Sequence, residues 1–152
     1  VSPDGRTIVF SLLGDIYTLP IGGGAATRIA EGLAWEVQPR FSPDGRRIAF
    51  TSDRGGGDNI WLMNADGSRK TQLTKEDFRL VYQPSWSPAG QFIAAKKHFT
   101  TQRSLGTGEI WLWHVSGGAG QQLVKRPSEQ HQKELGEPAF SPDGRRIYFS
   151  QN

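Results

Sequence analysis

The side chains able to do chemistry are few and scattered. His98, His114 and His131 are the only histidines, and no two stand at the i, i+2 or i, i+4 spacing that lets neighbouring ligands close on one metal ion. There is no cysteine, which removes thiolate nucleophiles, disulfides and sulfur-based metal sites while leaving the compartment open. Serine, histidine and aspartate all occur, but the Gly-x-Ser-x-Gly elbow that presents a nucleophilic serine does not. The glycine-rich stretches IGGGAA, RGGGDN and SGGAGQ lack the Lys-Ser/Thr of a phosphate loop and lead into no helical pattern, so they read as hairpin tips. No catalytic residue, cofactor-binding residue or metal ligand is assigned, and no cofactor is expected in this segment.

Three aspartates, Asp4, Asp44 and Asp143, stand out because they recur in one phrase, Ser-Pro-Asp-Gly. The fourth copy, Ser-Pro-Ala-Gly from Ser87, has Ala89 in that place. A carboxylate shared for catalysis or metal binding would be missing there, whereas a turn tolerates the change. Turn chemistry accounts for the whole phrase. Proline (Pro3, Pro43, Pro88, Pro142) presets φ for the second position, and Asp4, Asp44 and Asp143 suit the third. Glycine (Gly5, Gly45, Gly90, Gly144) takes the positive φ of a type I turn with a G1 bulge.

These corners belong to an internal repeat. The turn glycines are 40, 45 and 54 residues apart. Between them, landmarks return in fixed order: an isoleucine–aromatic pair at Ile16, Ile60 and Ile110; RIAEG, QLTKE and QLVKR from Arg28, Gln72 and Gln122; and QPRF, QPSW and EPAF from Gln38, Gln83 and Glu137. A period of about 40 residues is that of propellers and related arrays. RRIAFTS alternates with period two, NIWLMN is rich in strand formers and NADG supplies a second hairpin signal. Four short antiparallel strands per repeat make a propeller blade. The expected fold is all-β: a partial β-propeller of four-stranded antiparallel blades, about three plus part of a fourth. It forms a single unit over 1–152, with repeats at about 1–35, 36–80, 81–134 and 135–152.

Composition agrees with many short strands. Gly (19) and Pro (9) are plentiful, hydrophobic residues make up 36%, and five Trp and eight Phe supply core material. The net charge of +3 is mild, and the basic excess between Gln91 and Lys133 reads as a solvated face. Nucleic acid is therefore not an expected partner. No apolar run reaches the length of a membrane span, and no signal peptide is present. The chain opens on Val1 and its only methionine is Met63, so it reads as an excerpt of a longer protein.

The stretch PRFSPDGRRIAFTSDRGGGDNIWLMNADGSRKTQLT (Pro39 to Thr74) resembles the repeat of TolB-type propellers, the PD40 or WD40-like repeat, and the resemblance spans essentially the whole chain. KKHFTTQRSLGTGEIWLWHVSGG (Lys96 to Gly118) and GEPAFSPDGRRIYFSQN (Gly136 to Asn152) are similar to the N-terminal propeller of large extracytoplasmic metal-dependent amidohydrolases. That resemblance implies a periplasmic or secreted parent whose divalent metal, such as zinc, and hydrolase domain lie beyond Asn152. The expected role is then a non-catalytic interaction or substrate-gating module of that parent. The alternatives are a TolB-like periplasmic partner-binding propeller and the propeller of a prolyl-oligopeptidase-like peptidase.

The third repeat is the longest between turn and second landmark: 20 residues from Gly90 to Ile110, against 11 and 15 in the first two. The extra length falls in KKHFTTQRSLGTGE, which marks Lys96, Lys97, His98, Phe99 and Arg103 as a candidate recognition loop. The expected partners are the rest of the same propeller, a C-terminal hydrolase domain, and other copies of the chain through open blade faces. Ile8 and Phe10 are expected on one such face, Ile147 and Phe149 on the other.

Overall fold

The computed structural model describes residues 1–77, 80–98, 108–125 and 135–151. Among them there are thirteen strands in four antiparallel sheets and no helix. The first sheet holds β1 (Thr7–Leu12), β2 (Asp15–Pro20) and β3 (Thr27–Ala30). The second runs in order through β4 (Glu36–Phe41), β5 (Arg47–Ser52), β6 (Asn59–Asn64) and β7 (Thr71–Gln72). The third runs likewise through β8 (Val81–Trp86), β9 (Phe92–His98), β10 (Gly108–His114) and β11 (Gln121–Val124). The fourth pairs β12 (Ala139–Phe140) with β13 (Ile147–Tyr148). Strands β4, β8 and β12 open their blades and touch one another in succession, which places them at the hub. Each blade is a meander stepping outward from there. This is a partial β-propeller whose first blade has three strands.

The core lies between blades. Because side chains alternate across a strand, Ile48 and Phe50 of β5 pack with Ile16 and Met63 against the first blade. Ala49, on the opposite face, joins Ile60, Leu62, Ile93, Ala95 and Trp113 against the third. A sheet covered on both faces needs apolar residues at successive positions, and Ile48, Ala49 and Phe50 are all fully buried. Each large side chain so buried contributes about 1.5–3 kcal/mol.

The same alternation corrects one expectation. Ile147 and Phe149, half-exposed, face the third blade rather than the open end; they line a groove with Ile110 and Leu112 of that blade and with Phe140. The repeat register explains it. Ile147 and Phe149 correspond to Ile48 and Phe50, which face the preceding blade, and that direction is kept around the ring. Ile8 and Phe10 point the same way, toward a place with no blade before it, and both stay half-exposed. At the other end it is Tyr148, 56% exposed, that faces outward.

Candidate functional site

The recurring turns have one geometry. Gly5, Gly45, Gly90 and Gly144 donate their N–H to the carbonyls of Ser2, Ser42, Ser87 and Ser141 at 2.8–2.9 Å, with φ between 69° and 72°. The hydroxyls of Ser2, Ser42 and Ser141 donate to Asp4, Asp44 and Asp143 at 2.6 Å. The same carboxylate oxygens accept the N–H of Arg6, Arg46 and Arg145. The serine donors first, and those backbone donors second, hold all three carboxyls below the ordinary aspartate value. The aspartates are thus spent within their own turns.

The turns also touch one another. Pro3, Pro43 and Pro88 each bring Cδ to within 3.3–3.7 Å of where a side chain would begin on Gly45, Gly90 and Gly144. Each corner seats its proline on the glycine of the next. The turn at Ala89 keeps its fold with Ser87 alone, whose Oγ accepts the N–H of Phe92 at 3.0 Å.

Lys96, Lys97 and His98 are not loop residues. They end β9, which runs to His98 and pairs with β10 from Gly108, and all three are buried, at 1%, 7% and 0% exposure. Period two also prevents them from forming one basic patch. Lys97 turns toward the second blade, where it forms an ion pair with Glu76 and lies 4.2 Å from the centroid of the Trp111 ring. Lys96 turns the other way, over the Tyr82 ring at 5.5 Å, with its stem against Gly108. The His98 ring shares that side, 6.2 Å from Tyr82. Phe99 and Arg103, the other members of the candidate loop, lie outside the described residues, as does His131. His114 ends β10 at the surface, its Nδ1 2.6 Å from the Ser116 hydroxyl and its ring edge-on to Phe92. Among the described residues no group of three His, Asp or Glu side chains is placed to hold a metal ion, and no helix is long and apolar enough to cross a membrane.

Two features were not singled out by the sequence. At the hub, Gln38 and Gln83 adopt left-handed backbone (φ 57° and 59°) inside bulges of β4 and β8. There Arg40 of the second blade reaches Glu137, ahead of β12, at 2.7 Å. On the edge opposite the turns, Leu12, Leu13, Leu33 and Trp35 are exposed together with polar neighbours. The only signal for the second feature was a pair of leucines, Leu12-Leu13, at a hairpin tip where polar residues are the rule.

Residues 2–107 match the family described as the Tricorn protease N-terminal beta propeller domain. An uncharacterized protein of Agrobacterium fabrum, Atu1656, is 30% identical over 151 residues, covering 94% of this chain and 50% of that one. The uncharacterized peptidase YuxL of Bacillus subtilis is 30% identical over 164 residues, covering 90% of this chain and 24% of that one. The chain therefore spans half the length of one relative and about a quarter of the other. Among solved structures, one assigned as TolB of Agrobacterium tumefaciens superposes with a TM-score of 0.76 at 25% identity, covering 99% of this chain and 56% of that one.

Proposed function

This chain belongs to the Tricorn protease N-terminal β-propeller family, and from that premise we propose that it is a non-catalytic interaction or substrate-gating module of a larger extracytoplasmic hydrolase. The observation that carries this is the matched family itself, described as the N-terminal β-propeller domain of a protease. The internal use of Asp4, Asp44 and Asp143 agrees, since the one acidic motif that repeats has its donors inside its own turns. Fold alone assigns no chemistry.

Two parents are distinguished by what they need. The resemblance of Lys96–Gly118 and Gly136–Asn152 favours a metal-dependent amidohydrolase. The name of YuxL, of which this chain covers 24%, favours a peptidase. The full natural protein, assayed on peptide and small amide substrates with a chelator or a serine-directed reagent, separates them. Loss of activity to the chelator alone supports the amidohydrolase, and loss to the serine reagent alone supports the peptidase. A gating role further expects that removing the propeller speeds hydrolysis of long polypeptides relative to short peptides. Unchanged selectivity between long and short substrates overturns it. Cell fractionation tests the location, and a cytoplasmic full chain would contradict it.

A further inference from the structure

The edge opposite the Ser-Pro-Asp-Gly turns carries a surface built at conformational cost. Leu12 and Asp15 close the β1–β2 hairpin, so Leu13 and Gly14 form its two-residue loop, with φ of 53° and 90°. That is the type I′ pattern, which favours Asn, Asp or Gly at both places. Here a leucine occupies the first, in a backbone conformation its side chain disfavours, and it stands 89% exposed. Strain and an exposed apolar side chain at the same residue mark a site kept for something other than folding.

The neighbouring anchor is fixed rather than loose. The Trp35 ring covers Gly14, its nearest atom 2.9 Å from where a side chain would begin. The Trp35 backbone N–H donates to the Asp53 carboxylate at 2.8 Å, and the Glu36 backbone N–H donates to the Gly14 carbonyl at 2.8 Å. Trp35 is thereby tied to the hairpin tips of two blades while 47% of it stays exposed, and Leu33, two residues earlier, is fully exposed. A rigid aromatic with leucines beside it is the composition of a binding hot spot.

Charge identifies the partner's chemistry. Four carboxylates, Asp15, Glu31, Glu36 and Asp53, are joined to this rim by hydrogen bonds or ion pairs, against two guanidinium groups. Both guanidiniums are engaged: Arg28 pairs with Asp15 at 3.2 Å and Glu31 at 2.6 Å, and Arg54 pairs with Glu36 at 2.7 Å. Among these described residues the balance is negative, on a chain whose net charge is +3. Glu36 is the telling residue. By register it takes the place that Val81 fills in the third blade and Leu135 in the fourth, yet it is fully buried and its Oε2 has no hydrogen-bond partner. Arg54 holds the other oxygen, Oε1, through both Nε and Nη2, so Oε2 alone lacks a donor, and a buried polar atom without one is costly for folding.

We propose that Leu13, Leu33 and Trp35 form a docking surface for a protein segment whose apolar side chains are flanked by lysine or arginine. The assignment rests on the propeller's role as a binding module and gives that role a surface and a partner chemistry.

The test uses the full natural chain and two labelled synthetic peptides of equal length, one of leucines and lysines, the other of leucines and glutamates, followed by fluorescence anisotropy. The Leu/Lys peptide binds and weakens as salt is raised, and the Leu/Glu peptide does not bind. A double variant, Leu13→Asn with Leu33→Ser, loses at least about tenfold in affinity. Its melting temperature is unchanged or higher, because asparagine suits the left-handed position. Absence of binding, or equal binding of both peptides, overturns the proposal. Leu/Lys binding that is as tight in the double variant as in the parent leaves the binding-module role standing and excludes this surface.

Discussion

The side-chain amide oxygen of Gln38 accepts the backbone N–H of Gln83 at 2.9 Å, which ties the hub strand of the second blade to that of the third. The same oxygen accepts the Thr51 hydroxyl at 2.9 Å. Both glutamines occupy the same repeat position and share a left-handed backbone (φ 57° and 59°). The bulge it belongs to aims the Gln83 N–H across the blade boundary. The Oε1 of Gln83, one step further on, is buried with no partner.

That asymmetry yields a stability prediction. Gln38→Ala leaves the Gln83 N–H and the Thr51 hydroxyl without their acceptor and costs about 1–3 kcal/mol. Gln83→Ala removes an acceptor that accepts nothing and is neutral or mildly stabilising. Gln38→Glu, which keeps an acceptor, falls between the two. Urea denaturation of the three variants checks the order, and equal losses for Gln38→Ala and Gln83→Ala contradict it.

The Lys97–Glu76 pair predicts a second asymmetry. Lys97 is nearly buried beside Trp111, and Glu76 keeps about a quarter of its side-chain surface in solvent. Glu76→Ala strands a buried ammonium group and destabilises by about 2 kcal/mol, less than for a fully buried pair because Glu76 is partly screened. Lys97→Met keeps the apolar stem against the ring and costs under about 1 kcal/mol. Thermal melts that rank the two the other way would show that the pair is held by something other than charge.

How much of this was legible depends on how local the physics is. The corners at Gly5, Gly45, Gly90 and Gly144 were readable because Pro, Asp and Gly each set a backbone angle or a hydrogen bond within four residues. The meander followed from the repeat order. Lys96, Lys97 and His98 belong to β9 rather than to the loop because, counted from the turn glycines Gly45 and Gly90, Lys96 and Lys97 align with Thr51 and Ser52 of β5, and β9 continues one residue further to His98. The Gln38–Gln83 link was in view only as a recurring Gln-Pro. Its hydrogen bond depends on a bulge and a positive φ at a residue that seldom adopts one. The rim around Trp35 was hidden because Gly14, Trp35 and Asp53 are distant in sequence and meet only when two blades pack.

Acid should loosen the turns in a definite window. The folded values of Asp4, Asp44 and Asp143 lie below the ordinary 3.8. Their contribution is therefore present above that value and is lost as pH falls through the lower folded value. The melting temperature should hold from neutrality to about pH 4 and then drop, more shallowly in a variant with all three changed to Asn. Ser42→Ala, which removes the hydroxyl serving both Asp44 and the Arg47 N–H, costs about 1–2 kcal/mol at neutral pH. Ala89→Asp restores the missing carboxylate in the third blade and raises the melting temperature. A fall in stability already under way at pH 6 would assign the acid response to other groups.

The ring's direction makes the last prediction, for the isolated 1–152 polypeptide. Ile8 and Phe10 face away from the second blade, while Tyr148 faces away from the third, so the two open faces are different surfaces. Copies joined through them associate head to tail, a heterologous contact that continues unless it closes into a ring. Phe10→Glu blocks one face and Tyr148→Glu the other, leaving Ile147 and Phe149, which line the groove against the third blade, unchanged. Each variant alone should sediment as a monomer. Mixed in equal amounts they should form dimers and nothing larger, since each retains one complementary face. Dimers in either single variant would mean that like faces pair with like, and the head-to-tail contact would be wrong. The unsubstituted polypeptide should grow with concentration beyond the dimer or close into a ring of defined size, and analytical ultracentrifugation across concentrations separates these outcomes.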